Sequence, residues 1–287
     1  MAAEMETLWW VMLALGGAVF LLFLALLLRG LARGPAGRVS ERNWLVGGGL
    51  VMPLVVVAVV LGFTLVAMAR LANQPTQNEL IVEVNGHQWW WEVRYPDLGV
   101  VTANEIHLPV ERPILMRVRS EDVIHSFWIP SLAGKIDLLP DKTNTTSFSA
   151  NEAGTYRGVC AEFCGLQHAK MRLTALVSSQ DDFDQWAAQQ AEPATEVESR
   201  GRDVFLSAEC PDCHTVRGTP ADGSTGPDLT HLASRTTLAA GSIPNSTEQL
   251  TAWVRNPHAF KEGVEMEAAE LSEADLADLI AYLESLQ

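Results

Sequence analysis

Two long stretches without a charged side chain constrain this protein more than any other feature. Leu8 to Leu28 runs for 21 residues and Trp44 to Ala69 for 26. At about 1.5 Å of rise per helical residue, each is long enough to cross a hydrocarbon layer roughly 30 Å thick. Both are expected to be membrane-spanning helices that pair as a hairpin. A cleaved export signal needs a basic leading segment and a shorter apolar core; here Glu4 and Glu6 precede Leu8 and no Lys or Arg does, so the first helix is expected to be retained. The loop between the spans holds Arg29, Arg33, Arg38 and Arg42 against Glu41 alone. That bias places the loop in the cytoplasm and everything after Arg70 outside. Trp9 and Trp10 suit the membrane interface, where amphipathic rings settle.

A formal net charge of −15 excludes nucleic acid as a partner, because phosphate binding needs a basic face. Beyond the apolar N-terminal quarter, the composition changes twice. From Glu79 to Ser179 short β-type runs such as Leu80 to Val84, Ile114 to Val118 and Thr145 to Phe148 alternate with Gly, Pro, Asn and Asp, which predicts a β-sandwich or small barrel. Residues 181–198 turn acidic and rich in Ala and Gln around Pro193, which reads as a linker opening with a short helix, Asp182 to Gln190. After it a helical start at Arg200 to Leu206 leads into a Gly/Pro-rich middle and a final helix. Ser272 is its cap, Asp275 its third position, and Leu276, Leu279, Ile280 and Leu283 its apolar face. The expected division is a transmembrane hairpin over 1–72 (spans 8–28 and 44–69), a β domain over 73–180, the linker, and an all-α domain over 199–287.

Four cysteines in an exported region suggest two disulfides by default, yet their spacing points elsewhere. Cys160-Ala-Glu-Phe-Cys164-Gly-Leu-Gln-His168-Ala-Lys-Met171 packs two thiols, an imidazole and a thioether into one short segment. Thiolate, imidazole and a weak thioether are the ligand set of copper electron-transfer sites. His125, in the upstream β-type run Asp122 to Phe127, offers a further imidazole. A disulfide between Cys160 and Cys164 would leave His168 and Met171 as bystanders. A tetrahedral zinc site would leave Met171 without a role.

This segment resembles the binuclear CuA loop of cytochrome c oxidase subunit II. The resemblance implies that Cys160 and Cys164 bridge two coppers, that His125 and His168 each bind one, that Met171 is a weak ligand, and that Glu162 contributes its backbone carbonyl. It implies a cupredoxin-like Greek-key β-sandwich, and a second role for the Glu162 side chain toward a magnesium ion at the boundary with subunit I.

Cys210-Pro-Asp-Cys213-His214 matches the c-type haem attachment pattern, in which two thiols form thioethers and the adjacent histidine binds iron. A sixth ligand is needed, commonly Met, and Met266 is the only methionine after His214; His231 and His258 are the alternatives. The order helix, Cys-x-x-Cys-His, loop, Met, helix resembles class I cytochrome c domains, and Gly226-Pro-Asp-Leu229 resembles the family turn whose proline carbonyl orients the proximal histidine. A redox Cys-x-x-Cys or half a zinc site would leave His214 and Met266 unexplained.

Gly86-His-Gln-Trp89-Trp90-Trp91-Glu92 is a tryptophan cluster on a predicted strand. By resemblance, Trp89 matches the exposed tryptophan through which electrons enter the copper site; the alternative is a core or membrane-interface ring, the reading preferred for Trp90 and Trp91. Met116 fits the alternation of Ile114 and Val118 and belongs to the core, and His87 and His107 are read as structural. The start of the second span, Asn43 to Pro53, lacks the glutamate that many members carry at a proton-channel mouth. Glu41 lies earlier than that position.

Taken with the fused haem motif, the resemblance is to the caa3-type subset. It implies a subunit of a haem-copper terminal oxidase in a bacterial cell membrane, with both metal domains on the outer side. Electrons pass from haem c to CuA and on to subunit I, where oxygen is reduced; subunit III and the lipid bilayer complete the setting. A nitric oxide reductase with the same copper module, or a carrier without a catalytic partner, shares these motifs. The stretch from Glu198 onward has six Lys and Arg against fifteen Asp and Glu, which suits a basic cytochrome c as donor. An upstream respiratory complex is the other expected donor.

Overall fold

The computed structural model describes residues 2–33, 40–72, 78–194 and 198–287. Arg38, the expected boundary at 72/73 and the end of the acidic linker at 195–197 therefore fall wholly or partly outside the described residues. The chain divides into two compact units, Met1–Pro75 and Thr76–Gln287.

In the first unit, α1 spans Ala2–Arg33. A second helix is built from α2 (Glu41–Val46), a π-helical turn (Gly47–Val51) and α3 (Met52–Ala72). The π turn has a local cause. Pro53 has no N–H and its ring crowds the carbonyl four residues back, so the ladder widens there, across three glycines that offer no side-chain resistance. The apolar spans Met5–Ala32 and Glu41–Ala69 contain both predicted segments. Their large side chains, including Phe20, Phe23, Leu45 and Leu54, are exposed, as lipid-facing groups are.

The second unit begins with a sandwich of two five-stranded sheets. Its strands are β1 (Leu80–His87), β2 (Trp90–Tyr95), β3 (Val100–Ala103), β4 (Glu105–Pro109), β5 (Ile114–Ser120), β6 (His125–Trp128), β7 (Ile136–Leu138), β8 (Asn144–Phe148), β9 (Gly154–Cys160) and β10 (Arg172–Ser178). One sheet has the order β3-β2-β1-β5-β8, the other β4-β10-β9-β6-β7. Strict alternation builds the core: Leu80, Val82 and Val84 of β1 face inward with Ile114, Met116 and Val118 of β5, opposite Leu173, Ala175 and Val177 of β10. This is the cupredoxin-like Greek-key β-sandwich expected from the sequence, and Met116 is fully buried in it.

Trp89 departs from expectation. It occupies the two-residue turn between β1 and β2, where His87 pairs with Trp90, so it escapes the alternation that buries Trp91. The helix expected over 182–190 runs Gln180–Ala191 as α4, with Ser179 accepting from the Asp182 amide. It seats Phe183 and Ala187 in the sandwich core, and its Trp186 stacks on His107 with ring centroids 3.9 Å apart. His87 stacks on Trp90 in the same way, at 4.2 Å.

The remainder is the mainly helical domain expected over 199–287: α5 (Arg200–Ser207), the short α6 (Cys210–Cys213), a two-residue pair β11 (Thr237–Leu238) and β12 (Ile243–Pro244), α7 (Thr247–Arg255) and α8 (Glu273–Ser285). Ser272 caps α8 by accepting from the Asp275 amide, and Leu276, Leu279, Ile280 and Leu283 are buried, as the sequence predicts. The sequence reading missed α7, although Ser246 and Gln249 have capping-box spacing and Leu250 and Val254 supply an apolar stripe.

The α5–α8 crossing depends on Gly201, where an added Cβ would stand 2.0 Å from the Asp278 carbonyl oxygen. Gly201→Ala should push the helices apart and cost about 1–3 kcal/mol or more. Thermal unfolding of the purified protein, followed by far-ultraviolet circular dichroism, should show a lowered Tm for the helical domain.

Candidate metal centres

The first centre is assembled at one end of one sheet. Cys160 ends β9, Met171 precedes β10, and the loop between them carries Glu162, Cys164 and His168; His125 opens the neighbouring strand β6. The Cys160 and Cys164 sulfurs lie 3.7 Å apart, well beyond the ~2.05 Å of a disulfide bond. Cys160 Sγ stands 3.9 Å from His125 Nδ1 and 3.2 Å from the Glu162 carbonyl oxygen. Cys164 Sγ stands 3.6 Å from His168 Nδ1 and 3.8 Å from Met171 Sδ. The donors thus form two matched halves around a shared sulfur pair, each half with its own imidazole. Two thiols, two imidazoles and a thioether are the soft donors that suit copper, and a tetrahedral zinc site would leave Met171 without a role.

Each ligand has a physical reason for its place. His125 is fully buried, and an added Cβ at Gly86 would come within 2.9 Å of its ring, so β1 makes room for it. Asp122 Oδ1 lies 2.7 Å from His125 Nε2, which turns Nδ1 toward the sulfurs. Burial works against a charged His125, but the Asp122 and Cys160 hydrogen bonds outweigh it and raise its pKa. The hydrogen bond between the two sulfurs lowers the Cys160 thiol and raises the Cys164 thiol, which favours a single thiolate at Cys160. The Glu162 side chain is exposed.

The turn after β1 braces the ligand loop from below. Gln88 Nε2 and Trp89 Nε1 both donate to the Cys164 carbonyl, at 2.7 and 2.9 Å, and the Gln88 amide donates to Asp122 Oδ2. Trp89 is 8 % exposed rather than the open ring expected. The loop at Gly165 lies against its indole, and Lys261 and Gly263 of the helical domain approach its carbonyl and ring. Sequence reasoning missed Asp122 and Gln88 as partners of the ligands. The only signal was position, three residues before His125 and one before Trp89.

In the second centre, Cys210 and Cys213 bound α6 and His214 follows it. His214 Nδ1 lies 2.7 Å from the Pro227 carbonyl. A carbonyl only accepts, so Nδ1 carries the proton and Nε2 keeps a free lone pair, the tautomer an iron ligand needs. Gly226 is obligatory beside it, since an added Cβ would stand 2.7 Å from His214 Cε1. Burial lowers the His214 pKa, which favours the neutral ligand form. Met266 and Cys210 pack on the same apolar cluster. The alternative imidazoles have other partners: His231 Nε2 lies 2.9 Å from the Glu192 carbonyl and His258 Nε2 lies 3.8 Å from Glu267.

Residues 100–180 match the family model for the periplasmic domain of cytochrome c oxidase subunit II, and residues 198–287 that for cytochrome c. Cytochrome c oxidase subunit 2 of Alkalihalophilus pseudofirmus is 34 % identical over 252 residues, covering 86 % of this chain and 73 % of the relative. The chain belongs to the cytochrome c oxidase subunit 2 family. The Bacillus subtilis subunit 2 is 31 % identical over 268 residues, covering 86 % of this chain and 74 % of its own. The periplasmic domain of oxidase subunit II from Bradyrhizobium japonicum, a crystal structure, is 31 % identical over 41 % of this chain and 96 % of that one, with a TM-score of 0.39. This subunit 2 is a membrane protein whose copper-type and cytochrome c domains lie on the outer side, in the caa3-type arrangement. Its two domain families imply copper in the first and haem c in the second, and its family implies association with subunit I.

Asp122→Ala should leave the His125 ring unanchored. Copper affinity, measured by chelator competition on the purified protein, should fall on the order of 10–100-fold.

Proposed function

We propose that this subunit takes electrons from an outside donor at a covalent haem c, passes them to a binuclear CuA centre and delivers them to subunit I, where oxygen is reduced to water. The observation that carries the copper half of this reading is the pair of sulfurs 3.7 Å apart, each facing an imidazole of its own. When bound, the copper pair and the haem supply reversible one-electron chemistry. Cys160 and Cys164 would supply the thiolates that hold the copper pair, His125 and His168 an imidazole each, Met171 a weak thioether and Glu162 its backbone carbonyl. Buried, rigidly supported ligands hold one geometry in both redox states, which is what rapid electron transfer needs.

In the cytochrome domain, Cys210 and Cys213 would attach the haem, and His214 and Met266 would hold its iron. Trp89 conducts electrons to the copper pair from the cytochrome domain that covers it. The Glu162 side chain reaches a magnesium ion shared with subunit I, and subunit III completes the complex. The acidic cytochrome domain receives a basic cytochrome c or docks against an upstream respiratory complex, with salt weakening the first association.

Metal analysis of the purified chain should find a pair of copper ions and a single covalent haem; one copper, or zinc, overturns the binuclear assignment. Met266→Ala should abolish methionine ligation in the oxidised-haem spectrum while the haem stays covalently attached. An unchanged spectrum overturns the axial assignment.

A further inference from the structure

Lys261 is the least expected buried residue of the outer unit. It lies five residues before Met266 and is only 2 % exposed. Among the described residues no carboxylate pairs with it. Its ammonium donates instead to two carbonyls, Trp89 O of the copper domain at 2.7 Å and Ala239 O of its own domain at 3.4 Å. Desolvation, followed by repulsion from Lys170, lowers its pKa to about 7. A cation removed from water without a counter-charge is costly unless its hydrogen bonds are well formed. Here the shorter of those bonds, to Trp89, exists only while the two domains are in contact.

Other bonds cross the same contact. Gln167 Nε2 donates to the Glu262 carbonyl at 2.7 Å and the Arg172 amide to the Ala240 carbonyl at 3.1 Å. The Thr236 amide donates to buried Glu105 at 2.7 Å, and Val264 rests on the sandwich core. Charge-assisted bonds also cross the contact, from Thr236 to the Glu105 carboxylate, from Lys170 to the Phe260 carbonyl and from Arg217 to the Gln190 and Ala191 carbonyls. The Lys261 bond is set apart by its target, the backbone of the residue whose indole donates to the Cys164 carbonyl.

We propose that Lys261 is a positioning residue, a latch that fixes the haem-bearing segment against the Trp89 backbone and holds the two redox domains in one register for electron transfer within the chain. The latch rests on the electron route proposed above, and the two fail separately. With the latch made, a short covalent and hydrogen-bonded line runs from the segment leading to Met266, through Lys261 and Trp89, to Cys164. The docked domain also closes Trp89 to outside donors. Displacement of a reacting pair by as little as an ångström weakens a positioned step sharply.

The test is Lys261→Met in the full-length, metal-loaded chain. The Arg172 and Thr236 amides bond across the domain contact, so their hydrogen exchange reports its opening. Exchange at both should accelerate roughly ten- to a hundredfold, the loss expected for a buried hydrogen bond to a charged group. Amides inside β1 and α8 should keep their protection. After flash reduction of the haem, transfer to copper should slow and become dependent on solvent viscosity, with the spectra of both centres unaltered. Unchanged exchange at Arg172 and Thr236 overturns the latch. Faster exchange with unaltered transfer overturns the positioning role, and no haem-to-copper transfer in the unmodified chain overturns the route itself. Should Lys261→Met not accumulate, Lys261→Gln, which removes the charge and shortens the reach by one bond, carries the same expectations.

Discussion

The carbonyl of Cys164 is the point on which the outer half of this protein turns. It accepts from both Gln88 and Trp89, so the loop bearing most of the soft ligands is tied to a turn between two strands of the opposite sheet. Gln88 also holds Asp122, and Asp122 holds His125. One turn therefore sets the loop and the distant imidazole together. Ligands from remote parts of a chain keep a common geometry only when something rigid joins them, and here that is the two-residue link between β1 and β2.

The same turn is the meeting place of the two metal-binding domains. Its donors face the copper loop, while its carbonyl accepts from Lys261. Burial gives these bonds their weight, since an unmade hydrogen bond in a dry contact is far more costly than one in water. It also separates the two centres by type of support. The sulfur pair relies on side chains converging from several strands, whereas His214 relies on one local turn, its Nδ1 bonded to Pro227 beside a glycine that leaves its ring room.

Most of what depends on local spacing was legible in the sequence. The apolar spans announce themselves by length, the core strands by their period of two, and α8 by Ser272 with its stripe of leucines. The ligand segments were equally plain, because Cys160 to Met171 and Cys210 to His214 are contiguous and their residue types are rare in combination. What escaped was of another kind. α7 hid in a Gly/Pro-rich context, and α4, read as the start of a linker, belongs to the sandwich because Phe183 and Trp186 find a face waiting for them.

The sequence by itself determined that this chain crosses a membrane, carries a cupredoxin-like and a cytochrome c module, and offers soft ligands in patterns suited to copper and haem. Those properties follow from residue type and short-range periodicity, which survive in one dimension. Only the tertiary structure decided that Trp89 is covered, that Asp122 and Gln88 brace the ligands, and that a buried lysine lies between the domains, bonded to carbonyls. Each of those facts joins residues far apart along the chain, through contacts that exist only once water has been excluded, and a linear pattern carries no record of them.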